Sequence, residues 1–179
     1  MLPCCSNSYK RLPVKVKTEK ILVALSGGVD SAVSAALLLE QGHQVESVYV
    51  RTWEHEKDIF GNCPGAKDLA DAQEVADCLG IQFETVNYID FYKREVVQPM
   101  VDGYAMGITP NPDILCNKKM KFGALLLHAL NHNFDSLATG HYCRRKTGRD
   151  GLAQLHEGVD KKKDQSYFLA RISQDQIEP

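Results

Sequence analysis

The sequence predicts an α/β fold, a parallel sheet covered on both faces by helices in a three-layer sandwich. Three observations carry it. Short apolar or β-branched runs alternate with stretches of helical periodicity. The first two helical stretches close on a glycine, Gly42 and Gly80, just before the next run. A glycine-rich turn joins the first strand to the first helix. With 179 residues, 44% of them hydrophobic, the chain suffices for one domain with a sizeable core.

Residues 20–25 form an apolar run that stops at Gly27-Gly28 and reads as a buried strand. Residues 31–41 supply a small-residue helix. A second strand is expected over 45–50, with Val45, Ser47 and Tyr49 on one face and Val48 and Val50 on the other. A polar loop with Gly61, Pro64 and Gly65 follows. Leu69, Ala72, Val75, Ala76 and Leu79 then recur at helical spacing. Residues 81–86 form the third strand. The helix expected over 91–104 contains Pro99, which predicts a kink or break. Residues 107–117 read as a Pro-rich loop, and Phe122, Leu125, Leu126, Ala129 and Leu130 define another amphipathic helix. The fourth strand, 136–138, runs into Thr139-Gly140-His141. Beyond it the chain is charged and weakly periodic, a loop or hairpin leading out of the core. Ligands on such sheets bind at the carboxyl ends of the strands. The loops after Leu25, Val50 and Ala138 fall there.

Composition excludes several classes. No apolar run approaches the ~18 residues of a membrane span. The six cysteines, Cys4, Cys5, Cys63, Cys78, Cys116 and Cys143, include no Cys-x-x-Cys pair, so no zinc knuckle or thioredoxin-type site is indicated. A chain of this size needs no disulfide scaffold, and a reducing, cytoplasmic setting is expected. Residues 1–19 read as a flexible tail; their excess of lysine makes a mitochondrial transit segment the alternative. The net charge of −2 argues against a generic nucleic-acid binder. Residues 117–163, however, hold ten Lys/Arg and four Asp/Glu, a balance of +6 that leaves −8 elsewhere. A basic region inside an acidic protein suggests a directed contact with a polyanion; a solvated set of loops is the plainer reading.

The turn Ser26-Gly27-Gly28-Val29-Asp30-Ser31 carries chemistry. Two glycines let backbone N–H groups approach an anion, and the following helix directs its positive end at the same place. Ser26 and Ser31 can add hydroxyl donors, while Asp30 can cap the helix or help hold a metal. No Gly-Lys-Ser/Thr follows, so γ-phosphoryl transfer is not the natural reading. The turn resembles instead the PP-loop of ATP pyrophosphatases, adenine nucleotide alpha hydrolase-like enzymes that release pyrophosphate and adenylate a carbonyl oxygen. In the proline-stiffened stretch Thr109-Pro110-Asn111-Pro112-Asp113-Ile114-Leu115-Cys116-Asn117, a turn could bring Asp113 and Cys116 together. Lys118, Lys119 and Lys121 are expected to favour the Cys116 thiolate.

With that stretch the chain resembles the N-terminal catalytic part of the tRNA-specific 2-thiouridylases, which thiolate the wobble uridine. The matching blocks are 24–31, Trp53, 109–117, Lys121-Phe122-Gly123, Ala138-Thr139-Gly140-His141-Tyr142, and Gly158-Val159-Asp160 with residues 163–169. The resemblance implies that Ala24, Leu25, Ser26, Gly27, Gly28, Val29, Asp30 and Ser31 hold the ATP phosphates, with Val50 and Gly140 bordering the nucleotide. Val50 stands where many relatives have methionine, and Arg51-Thr52 replaces a commoner Lys-Asn. It implies that Asn111, Pro112 and Asp113 meet the target base, with Asp113 an acid/base group and Cys116 the nucleophile. Lys163, Asp164 and Gln165 are implied to contact tRNA.

The implied reaction adenylates the uridine C2 oxygen and then transfers sulfur from a persulfide, with Mg²⁺ expected beside ATP and a sulfur-donor protein as partner. Residues 20–145 correspond to the PP-loop domain, and 146–179 to the start of a tRNA-contacting segment. The family carries a second cysteine in a later Gly-x-Cys segment, and this sequence stops at Pro179 before one. A partial chain is therefore expected, with a nucleotide- or tRNA-binding fragment as the alternative to a complete enzyme. A different PP-loop ligase of the amidotransferase type gives the Asp113 to Cys116 stretch no purpose.

Overall fold

The computed structural model describes residues 17–54 and 64–179. Cys4, Cys5, Cys63, Gly61 and residues 1–16 of the expected tail lie outside them. Strand β1 (Lys20–Ala24) leads into helix α1 (Val29–Glu40), β2 (Gln44–Arg51), α2 (Pro64–Leu79) and β3 (Phe83–Asn87). A helical path over 89–105 follows: α3 (Ile89–Tyr92), a π-wound stretch (Lys93–Val97) and α4 (Gln98–Ala105). A second path over 112–131 comprises α5 (Pro112–Leu115), a π-wound stretch (Cys116–Leu125) and α6 (Leu126–Asn131). Then come β4 (Ser136–Ala138), the hairpin β5 (Cys143–Thr147) and β6 (Ala153–Glu157), a 3-10 turn (Ser166–Leu169) and α7 (Gln174–Ile177).

The four strands of the main sheet are all parallel, in the order β3-β2-β1-β4. β1 is central, with Ile21, Leu22 and Val23 all buried, as the apolar run requires. Its alternating side chains supply two cores. Ile21, Val23 and Leu25 pack with Val45 against Ala35 of α1 and Ala72 and Ala76 of α2. Leu22 packs with Val48 on the other face, against Leu125, Leu126, Ala129 and Phe134. The expected three layers are therefore present, and the alternation expected along 45–50 holds: Tyr49 joins the first core and Val50 the second. The chain reverses direction across the sheet between β3 and β4. The crevice at the carboxyl ends of β1 and β4 is the ligand position for this topology.

Three expectations are corrected. Residues 112–117 are helical rather than loop, because Asn111 accepts hydrogen bonds from the N–H groups of Asp113 (3.0 Å) and Ile114 (3.3 Å) and Pro112 occupies the first turn. Pro99 does not break its helix. It sits in the first turn of α4, next to the π-wound stretch Lys93–Val97, where a displaced hydrogen-bond register accommodates the missing N–H. Pro64 and Gly65 open α2 instead of lying in a loop. The hairpin expected beyond His141 is present as β5 and β6.

Adjacent leucines check the packing. Leu126 is 5% exposed and Leu127 is 58% exposed. Leu126→Ala is expected to cost about 2–5 kcal/mol, while Leu127→Ala stays within about 0.5 kcal/mol, read from urea midpoints at constant m-value.

Candidate active site

The turn after β1 is held by its own hydroxyls. Leu25 N–H donates to Val48 O (2.9 Å), keeping the chain in sheet register up to the turn. The buried Ser31 hydroxyl donates to Gly28 O (3.0 Å) and accepts from Ser26 N–H (3.2 Å). Gly27 has φ +80°, and a Cβ there would stand 2.5 Å from Asp68 O, so only glycine fits. Gly28 caps α1 without a side-chain bond, leaving the first-turn N–H groups facing outward from the helix end. Gly140 closes the arrangement from β4. A Cβ on it would lie 2.6 Å from Ser31 N, so strand exit and helix start are in backbone contact.

A cavity of about 430 Å³ opens over this turn. Every residue of 24–31 except Gly27 lines it, as do Val50, Gly140, Tyr92, Cys116, Met120, Lys121 and His141. Trp53, singled out in the sequence, packs edge-on against Tyr92 with ring centroids 5.5 Å apart. A second cavity of about 260 Å³ is lined by Asp113, Cys116, Asn117, Lys121, His141, Gln165 and Phe168. Cys116, Lys121, His141 and Gln165 line both, forming the wall between the 26–31 turn and a second chamber.

A buried polar chain fixes that wall. Asn117, 3% exposed, donates from Nδ2 to Phe168 O (3.1 Å), so its Oδ1 is left to accept. His141 Nε2 lies 3.1 Å from that oxygen and must carry the proton; Nδ1, 2.8 Å from Thr139 Oγ1, then accepts. Burial, with the Lys121 ammonium adding to it, pushes the His141 pKa down to about 4. Burial pushes the Cys116 thiol up; Lys121 opposes this and Asp113 adds to it. The thiolate expected from three neighbouring lysines is therefore outweighed by desolvation. Only Lys121 acts on the sulfur, while Lys119 lies 3.8 Å from Glu95.

The residues matched to tRNA contact are dispersed. Asp113 and Gln165 line the second cavity, and Gln165 Oε1 accepts from Tyr142 N–H (2.8 Å). The Asp164 carboxylate accepts from Gly158 N–H (2.7 Å) and the Ser166 hydroxyl (2.6 Å), which hold its pKa below the usual range. Lys163 is exposed, and Asn111 caps α5. Sequence reasoning gave no role to Asn117, Tyr92 or His141, and to Lys121 only a share, with Lys118 and Lys119, in favouring the Cys116 thiolate. Lys121, His141 and Asn117 sat inside the matching blocks, but nothing in residue spacing showed that they converge.

The depressed His141 pKa has a consequence for stability. Above pH 6.5 the ring is neutral in both folded and unfolded chains. Between 6.5 and about 4 only the unfolded chain takes up the proton, so stability falls with pH across that window. His141→Gln is expected to flatten this part of the urea-midpoint profile, measured against the wild-type chain from pH 7.5 to 4.

Residues 19–179 match the family described as the tRNA methyl transferase HUP domain. The tRNA-specific 2-thiouridylase MnmA of Akkermansia muciniphila is 49% identical over 158 residues, covering 88% of this chain and 44% of the relative. That of Pseudomonas aeruginosa strain PAO1 is 48% identical over 161 residues, covering 90% and 42%. This chain thus spans less than half the length of these relatives. Among solved structures, the U34-tRNA thiolase NcsA of Methanococcus maripaludis is 20% identical with a TM-score of 0.45, covering 69% of this chain and 39% of that one, a likeness too distant to bear on the chemistry. By the match over 19–179, the chain belongs to the family described as the tRNA methyl transferase HUP domain, and the relatives it resembles at near-half identity are tRNA-specific 2-thiouridylases.

Proposed function

We propose that this chain binds ATP on the 26–31 turn and activates a tRNA wobble uridine for thiolation. The observation that carries this reading is the shared wall: an anion-binding turn and a chamber lined by Asp113 meet at Cys116. The pyrophosphate end of ATP sits on the N–H groups of the turn and the first turn of α1. The uridine enters the second chamber, where Asn111, Pro112 and Asp113 form its approach and Asp113 serves as acid/base group. Lys163, Asp164 and Gln165 contact the tRNA beside it. Asp164 does so through the loop that its carboxylate organises.

The C2 oxygen attacks the α-phosphorus, the bond to the bridging oxygen breaks, and pyrophosphate leaves with the electron pair. A persulfide sulfur, supplied by a donor protein, then attacks C2, and AMP departs carrying the former C2 oxygen. The adduct is then C2–S–S–R, and the Cys116 thiol, as nucleophile, attacks the R-side sulfur. The S–S bond breaks, the outer sulfur stays on C2 with the electron pair, and a Cys116–S–S–R disulfide forms that an external thiol reduces. The raised pKa of Cys116 keeps it protonated until a substrate changes its surroundings.

Mg²⁺ fits the donor set. Asp30 is the one carboxylate among the described residues lining the larger cavity, and one carboxylate with nucleotide phosphates is a common magnesium environment. Among the described residues no cluster of three or more His, Cys, Asp or Glu could hold a metal by itself. When bound, the ion would neutralise phosphate charge. None of the described helices is long and apolar enough to cross a membrane, and a cytoplasmic location is proposed.

Incubation with ATP, a tRNA carrying unmodified wobble uridine and a persulfide donor is expected to release AMP and pyrophosphate in equal amounts, and without the donor pyrophosphate in excess of AMP. Cys116→Ser should retain ATP affinity and lose sulfur incorporation. Gly27→Ala, which puts a Cβ against Asp68 O, should lose ATP binding at least about tenfold. ATP binding without any pyrophosphate release would replace the enzymatic reading with a binding-only one.

A further inference from the structure

We infer that Lys121 is a catalytic residue whose ammonium meets the α-phosphate of the nucleotide where the two cavities join. This deepens the nucleotide reading above and rests on it.

Among the described residues Lys121 is the only lysine or arginine on the walls of either cavity, and it is on both. His141, on the same wall, is held neutral and cannot supply charge there at neutral pH. Of the other nearby lysines, Lys119 lies by Glu95, and Lys118 lines neither cavity. The Lys121 charge lowers the pKa of both Cys116 and His141, so its field reaches both ends of the wall.

The helix winding produces this placement. Cys116, Met120, Lys121 and Leu125 all line the larger cavity, although the last stands nine positions from the first. In an α-helix Cys116 and Lys121 would be about 140° apart, and Cys116 and Leu125 about 180° apart. Hydrogen bonds running i→i+5 through Cys116–Leu125 bring residues five apart to within about 50° of each other and residues nine apart to within about 20°. The wider winding therefore presents cysteine and lysine to one space.

The position selects the α-phosphate. The turn and the end of α1 receive the pyrophosphate portion, and the acceptor oxygen comes through the second chamber. The phosphorus between them stands at the junction. As the acceptor oxygen bonds to it and pyrophosphate departs, negative charge builds on its non-bridging oxygens. A fixed ammonium stabilises that charge more than the ground state.

The test uses the full chain with Lys121→Met and Lys121→Arg, and calorimetric binding of ATP, AMP and adenosine. Lys121→Met is expected to lose about tenfold for both ATP and AMP while adenosine binding is unchanged, and Lys121→Arg to stay within about threefold of wild type. Alkylation of Cys116 by iodoacetamide at pH 8, followed by mass spectrometry of its peptide, should slow several-fold in the methionine variant and recover in the arginine variant. Unchanged AMP affinity in Lys121→Met overturns the assignment, and so does an equal loss for adenosine. A wild-type chain that binds adenosine, AMP and ATP alike would leave the phosphate turn without function and remove the nucleotide reading together with this one.

Discussion

The buried amide of Asn117 is the constraint on which the site depends. It joins the helical path over 112–131 to the exit of β4 through His141, and to the C-terminal segment through Phe168 O. Three parts of the chain far apart in sequence are thereby held at one wall. An amide suits this place because it donates in one direction and accepts in the other, and both bonds are made in a low-dielectric setting. Aspartate at this position would lose the donor to Phe168, and leucine would orphan both partners.

Around that amide the charges are few and placed. The His141 ring is kept neutral, the Cys116 thiol is kept protonated by burial, and one ammonium faces both chambers. Among the described residues the wall thus carries one cation beside a protonated thiol. The basic excess over 117–163 does not concentrate inside the cavities. Arg144 and Arg145 bind backbone carbonyls of Glu157, Ile177 and Glu178, and Lys161, Lys162 and Lys163 remain exposed. The same excess thus divides between fastening the hairpin and presenting charge to solvent.

Where the sequence was misread, local rules had met a second signal. The run Thr109-Pro110-Asn111-Pro112-Asp113 has two prolines and suggested a loop, yet Asn-Pro-Asp is also an N-cap, first-turn proline and first-turn acid. Tertiary contact settled it: Gly103 gives Pro110 room to lie against α4, since a Cβ there would be 2.4 Å from Pro110 Cγ. Pro99 suggested a break, but the path over 89–105 shifts its hydrogen-bond register instead. π winding leaves no mark in hydrophobic periodicity over so few residues, so neither π-wound stretch was legible.

By itself the sequence determined the parallel sheet, the two faces of β2 and the glycine-rich turn after β1. Each follows from local chemistry: an apolar run buried on both sides, a period of two, and a glycine pair at a strand end. It also suggested that Cys116 and Asp113 could meet, and both line the second cavity. Only the tertiary structure decided that Lys121, Asn117 and His141 join them. Their meeting depends on the β3-β2-β1-β4 strand order and on the winding of Cys116–Leu125. Burial, which no short motif encodes, then set the protonation states of the thiol and the imidazole.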